Sequence, residues 1–115
     1  MVALSVDVLF DAAIRIQLAE RSISITFVQD EIRIKFPTTR RLAEFLEVPH
    51  YYVLPYFAMM EQEELVTRAE RVGIMTTAKG SRKMIDLMRY NYLKETEDIL
   101  GIPVFQEFIK KFFSQ

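Results

Sequence analysis

Phe36-Pro37-Thr38-Thr39-Arg40-Arg41-Leu42-Ala43-Glu44-Phe45-Leu46-Glu47-Val48-Pro49 is the stretch on which the fold turns. Pro37 closes the segment before it, because proline has no N–H to add to a strand ladder. Thr38 or Thr39 then suits an N-cap, with its hydroxyl accepting a backbone N–H of the next turn. Residues 41–47 read as a short helix with Leu42, Ala43, Phe45 and Leu46 on its buried side. Val48-Pro49 is a tight turn, and Pro49 opens a second helix at a position where its missing N–H costs nothing. That helix runs to about residue 64 with Val53, Phe57 and Met60 facing inward, and Pro55 should remove one hydrogen bond and bend it.

Upstream, residues 2–20 read as a helix. Val6, Leu9, Phe10, Ala13, Ile14 and Gln17 recur at steps of three and four, and Ile16 and Leu18 widen the apolar band. A helix this apolar is buried in its own core or against a second subunit. Across residues 22–36 the period becomes two. Ile23, Ile25 and Phe27 alternate with Ser24 and Thr26, and Ile32, Ile34 and Phe36 alternate with Arg33 and Lys35. This pattern predicts a hairpin turning at Gln29-Asp30; a short helix over residues 26–34 is the alternative.

Downstream, residues 65–71 and 74–77 read as two strands joined near Val72-Gly73, with Gly73 suited to a positive φ. Gly80 precedes a long helix over residues 81–100, in which Met84, Ile85, Met88, Tyr92, Thr96 and Ile99 keep helical register. Gly101 stops that helix and Pro103 opens a last one, which carries Val104, Phe105, Phe108, Ile109, Phe112 and Phe113. There is no internal repeat and no linker, so residues 1–115 read as one domain.

At 115 residues the chain is long enough for one stable core. It lacks cysteine, which excludes disulfides, thiolate metal sites and a cysteine nucleophile. The N-terminus has no basic leader region, and no apolar run approaches the roughly 20 residues that span a bilayer. A soluble, cytoplasmic protein with no membrane association is expected. Fifteen Lys and Arg against sixteen Asp and Glu leave a net charge of −1, so any nucleic-acid contact must come from a local patch. A lone His50 cannot build a zinc site without cysteine. The acidic clusters at residues 61–64 and 95–98 read as exposed helix ends rather than as metal ligands or general acids. No phosphate-binding glycine loop, nucleophile elbow or zinc spacing occurs. No catalytic residue, metal or cofactor is expected.

The motif at residues 36–49 resembles the entry and first helix-turn of bacterial regulators of the GntR type. In these a proline, a small hydroxyl residue and an arginine precede a Leu-Ala pair, and a valine closes the turn. Val53 matches their buried residue in the second helix. Leu65-Val66 resembles the exit into the wing, and Gly73 the wing glycine. Thr76-Thr77-Ala78-Lys79-Gly80 is similar to the wing-to-helix junction of MarR-type and PadR-type proteins. The resemblance covers about residues 36–83. It implies a mainly α (α+β) winged helix-turn-helix, residues 36–80, with additional N- and C-terminal helices at residues 2–20 and 81–113 that dimerise. It also implies a prokaryotic transcriptional regulator that binds double-stranded DNA as a homodimer.

On that expectation Thr38, Thr39, Arg40 and Arg41 hold phosphates, since a helix start offers free N–H groups to an anion. His50, Tyr51 and Tyr52 enter the major groove, and Arg68 and Arg71 act from the second hairpin. The second helix departs from the pattern: it has Pro49-His50 where a Ser-Arg pair is usual, and no Lys or Arg between residues 49 and 64. Between Arg40 and Lys83 the acidic residues nearly cancel the basic ones. A protein–protein interaction module is therefore the competing expectation. A ligand-responsive repressor with a pocket between the terminal helices is the third.

Overall fold

A computed structural model describes residues 3–113; the expected start of the first helix at Val2 lies outside them. Helix α1 (Val6–Glu20) leads into a hairpin of β1 (Ile25–Val28) and β2 (Glu31–Phe36). Helices α2 (Thr39–Leu46) and α3 (His50–Gln62) follow, then a second hairpin of β3 (Val66–Ala69) and β4 (Gly73–Thr76). Helices α4 (Ala78–Asn91), α5 (Leu93–Leu100) and α6 (Ile102–Phe113) complete the chain.

The expectation of a mainly α winged helix-turn-helix with added terminal helices is corrected by this arrangement. The fold is α+β, and the two hairpins join in one four-stranded antiparallel sheet of order β1-β2-β4-β3. The joining seam is β2 against β4, with Lys35 opposite Met75 and Phe36 opposite Ile74. The physical reason lies in β2. Ile32, Ile34 and Phe36 all point to one face and are buried there, as period two on a one-sided sheet requires. Burying them draws β2 into the sheet centre, and β4 becomes its interior neighbour instead of half of a free ribbon.

Of the two readings of residues 22–36, the hairpin is the one formed. Its turn uses Gln29 and Asp30, both with positive φ (50° and 68°), the backbone that a two-residue turn needs to match strand twist. Gly73 has φ 100° beside Arg71 at φ 70°, so the second turn places a non-glycine residue in the left-handed region as well. Glu47 (φ 57°) closes α2 and Glu64 (φ 60°) follows α3, where glycine would be easier. Each costs roughly 1 kcal/mol.

Helix α1 lies against α2, α3 and α4, burying Leu9, Phe10, Ala13, Ile14 and Ile16. Phe10 meets Phe36 edge to face at 5.3 Å between ring centroids, and α4 adds Met84, Ile85 and Met88. The apolar band of α1 is thus covered from within the chain. Phe105 and Phe108 anchor α6 to the same core.

The C-terminal helices differ from the expected pair. Helix α4 starts at Ala78, not after Gly80, because the Thr77 hydroxyl caps it by accepting from Gly80 N at 3.0 Å. It also ends early. Tyr92 leaves helical geometry (φ −139°, ψ 33°), splitting the expected helix over residues 81–100 into α4 and α5. The Tyr92 hydroxyl donates to Asp11 Oδ1 of α1 across the chain.

Burial of this phenol, then its hydrogen bond to Asp11 and the charge of that carboxylate, raise its pKa from 10.0 to about 12. A folded-state value above the unfolded one means that the contribution to stability is complete below pH 10 and is lost as pH climbs towards 12. Denaturant midpoints should therefore fall over this range, and Tyr92→Phe should fall less steeply. Parallel profiles for the two proteins would show that the phenol is not held by Asp11.

Candidate functional site

The corner formed by α2 and α3 holds most of the residues singled out from sequence. Thr38 is the N-cap of α2, its hydroxyl accepting from Arg41 N at 3.1 Å. Thr39 Oγ1 lies 2.7 Å from His50 Nε2, which pins the first turn of α2 to the first residue of α3. Pro49 caps α3 without a side-chain bond. Pro55 lacks the N–H that would reach the carbonyl of Tyr51, and both residues are exposed, so water can take that carbonyl.

Tyr51 and Tyr52 are exposed and meet edge to face at 4.8 Å between centroids. They are not isolated. With Val53, Phe57 and Met60 turned inward, the opposite face of α3 presents Tyr51 (65% exposed), Leu54 (42%) and Met59 (45%), with Pro55 and Ala58 between them. Leu54, Pro55, Ala58 and Met59 were missed as site residues. Their spacing from Tyr51 already placed them on the outer face.

The cations are less available than their sequence positions imply. Arg41 pairs with Glu20 of α1 at 3.1 Å. Arg68 pairs with Glu61 of α3 at 3.4 Å, and its guanidinium sits 4.9 Å from the Phe57 ring centroid. Arg68 is thus laid along α3. Arg40 is exposed at the start of α2, and Arg71 is exposed in the β3–β4 turn; neither has an ion pair among the described residues. Thr38, Thr39, Arg40, Arg41, His50, Tyr51 and Tyr52 therefore belong to one corner, while Arg68 joins the far end of α3 and Arg71 the hairpin turn.

The charge around this corner is acidic. From Thr39 to Glu64 there are two arginines against Glu44, Glu47, Glu61, Glu63 and Glu64. Four of those glutamates are exposed, all but Glu61. Among the described residues no cluster of three or more His, Asp or Glu is placed to hold a metal ion, and no helix is long and apolar enough to cross a membrane.

An α+β domain with one uncharged, partly aromatic helix face is the class that fold and site define. No protein-family model, curated protein or solved structure matches this chain.

Proposed function

We propose that this chain is a protein-docking module and that its contact surface is the outer face of α3. The observation that carries this reading is the run of Tyr51, Leu54, Pro55, Ala58 and Met59, exposed and without a charge on a single helix face. Protein interfaces are enriched in tyrosine and methionine and depleted of lysine and glutamate at their centres. Aromatic anchors of this kind carry most of the binding energy. The surrounding glutamates select a partner with an apolar centre and a basic rim, by charge complementarity. No catalytic step is assigned to the chain, and a cytoplasmic location belongs to the same reading, since a cysteine-free chain suits a reducing compartment.

A DNA-binding regulator is the second reading, favoured by Arg40 and Arg71, which have no ion pair among the described residues. Its weakness is quantitative. Two phosphate contacts give a slope of only about −2 in log K against log salt. The acidic residues on α2 and α3 oppose even these.

One experiment separates the two. The chain and its Tyr51→Ala/Met59→Ala and Arg40→Ala/Arg71→Ala variants are compared for stable complexes in lysate from the source cells and for duplex binding at low salt. The docking reading expects a defined complex that the first variant loses by about 2 kcal/mol or more and the second retains. Duplex binding that the arginine variant abolishes, with no protein complex, would replace it by the DNA reading.

A further inference from the structure

The sheet ends on β1 at one side and on β3 at the other. A terminal strand turns the N–H and C=O of every second residue away from its neighbour, and such an edge is a template for another strand. Which residues these are in β1 follows from its ladder. Lys35 N donates to Ser24 O at 2.9 Å, and this pair continues the register of Ile25 opposite Ile34. Bonded and non-bonded positions alternate in an antiparallel pair. Ser24, Thr26 and Val28 therefore bond to β2, and Ile25 and Phe27 present their backbone groups outward. Among the described residues no other backbone segment pairs with them.

The two edges are defended differently. Strand β3 carries Arg68 and runs into Glu70 and Arg71, and charge on an edge discourages pairing. Residues 22–29 have no charged side chain, and β1 has no lysine, proline or bulge. Its Phe27 is 63% exposed and its Val28 39%. Phe27 stands opposite Ile32, on the inner face of the sheet. Its ring meets Phe108 of α6 at 6.2 Å between centroids and is otherwise open to solvent. Charge is confined to the two ends of this edge. Arg21 precedes it and Asp30 follows it, at nearly equal distances along the chain from Thr26. Both are exposed, and neither has an ion pair among the described residues; the neighbouring Glu31 is held by Arg33 at 3.2 Å.

We infer that β1 pairs with β1 of a second copy of this chain, antiparallel and with Thr26 on the two-fold axis, so that two four-stranded sheets become one. This register sets Ile25 opposite Phe27 of the second copy, and Phe27 opposite its Ile25. The outward N–H and C=O groups of these residues then satisfy one another. Each pair places an aromatic ring against a β-branched side chain, a favourable cross-strand combination. A two-fold contact requires a patch that complements itself. The antiparallel arrangement meets this requirement in charge, because it brings Arg21 of each copy alongside Asp30 of the other, whereas parallel pairing would set like charges together. A strand of another protein would match the backbone groups equally well; the opposite charges at the two ends are what fit this edge to itself. The interface is separate from the outer face of α3, and it is not the expected pairing of the helices at residues 2–20 and 81–113.

Sedimentation equilibrium of the full chain from micromolar to millimolar concentration tests the pairing. The expected species is a dimer of twice the 13.5 kDa chain mass. In hydrogen exchange the Ile25 and Phe27 amides should gain protection as concentration rises, while those of Thr26 and Val28, already bonded to β2, change little. Phe27→Lys puts a charge into the edge and should weaken association at least about tenfold. Arg21→Glu and Asp30→Arg each turn two attractions across the axis into repulsions, and each should weaken association about fivefold. The two together should restore it, and this comparison stands even if the lysine variant does not fold. Charge reversals that fail to compensate, or a dimer that Phe27→Lys leaves intact, would overturn the pairing. A chain that stays monomeric at millimolar concentration would overturn it too, and would leave the edge to a strand of a different protein.

Discussion

Gly80→Ala is expected to destabilise this chain by about 3 kcal/mol, the upper end of what an overpacked site costs. Two effects oppose each other. Gly80 sits in the first turn of α4, where alanine gains about 1 kcal/mol in helix propensity. Against this, a Cβ at Gly80 would overlap Leu65 O and stand 2.8 Å from the Leu65 carbonyl carbon. Those are backbone atoms, and no rotamer change moves them. The carbonyl is also held in place: Leu65 O accepts from Thr77 N at 3.1 Å, and Leu65 N donates to Met60 O at 2.9 Å. The same junction is clamped twice more, by the Thr77 hydroxyl donating to Glu64 O and by Lys79 Nζ donating to Glu63 O at 3.0 Å. Relief of the overlap would have to break this set, so the steric effect wins over propensity. Denaturant unfolding measures the difference. A variant within about 0.5 kcal/mol of the parent, the ordinary range for a surface change, would mean that α4 does not approach Leu65 this closely.

Gly80 also marks the limit of what could be read from the chain. A glycine ahead of an apolar-periodic run looks like a helix boundary, and local pattern alone cannot distinguish that from a glycine kept small by a backbone fifteen residues away. The same holds for the sheet. Each hairpin was legible, since alternation in Ile23 to Phe36 and the turn at Val72-Gly73 are local signals. The pairing of Lys35 with Met75 is not local. It follows from burying one face of β2, which has no signature in residues 66–76, and so the resemblance of residues 36–83 to a known motif pointed to the wrong architecture. The break at Tyr92 was hidden because the flanking Met88 and Thr96 keep helical spacing through it.

For the candidate site, side-chain identity was legible and side-chain commitment was not. The lack of Lys and Arg in α3 could be read directly, and it is what shapes the exposed face. That Arg41 would meet Glu20, or that Arg68 would lie between Glu61 and the Phe57 ring, depends on how α1, α3 and β3 sit against one another. Gln17 was read as part of an apolar stripe by its spacing alone. Its position was right, but that its amide finds no partner among the described residues is visible only once the end of α1 is packed.

Thr76→Val is expected to cost about 2 kcal/mol and to loosen one seam of the sheet more than the rest. Beyond the pairs Lys35–Met75 and Phe36–Ile74, the next residues in register are Ile34 and Thr76, and there a side-chain bond stands where the ladder gives out. Ile34 N donates to Thr76 Oγ1 at 2.8 Å, and Thr76 Oγ1 lies 2.6 Å from Ser81 Oγ. Ser81 Oγ donates to Ile32 O. A carbonyl can only accept, so the direction is fixed: Ile34 N–H to Thr76, Thr76 hydroxyl to Ser81, Ser81 hydroxyl to Ile32. Thr76 and Ser81 are both 0% exposed, so water cannot replace a missing member. Valine keeps the shape of threonine but leaves the Ile34 N–H buried without an acceptor, a penalty of about 1–3 kcal/mol. The β2–β4 seam has two paired positions where the outer seams have four each, so the loss falls where the sheet has least to spare. Exchange of the Ile34 amide should accelerate while amides on the β3–β4 ladder keep their protection. Because the Thr76–Ser81 bond is removed by either substitution, Thr76→Val and Ser81→Ala should together cost about 1 kcal/mol less than the sum of their separate effects. Additive costs, or an Ile34 amide as protected in the variant as in the parent, would mean that backbone pairing alone joins the two hairpins.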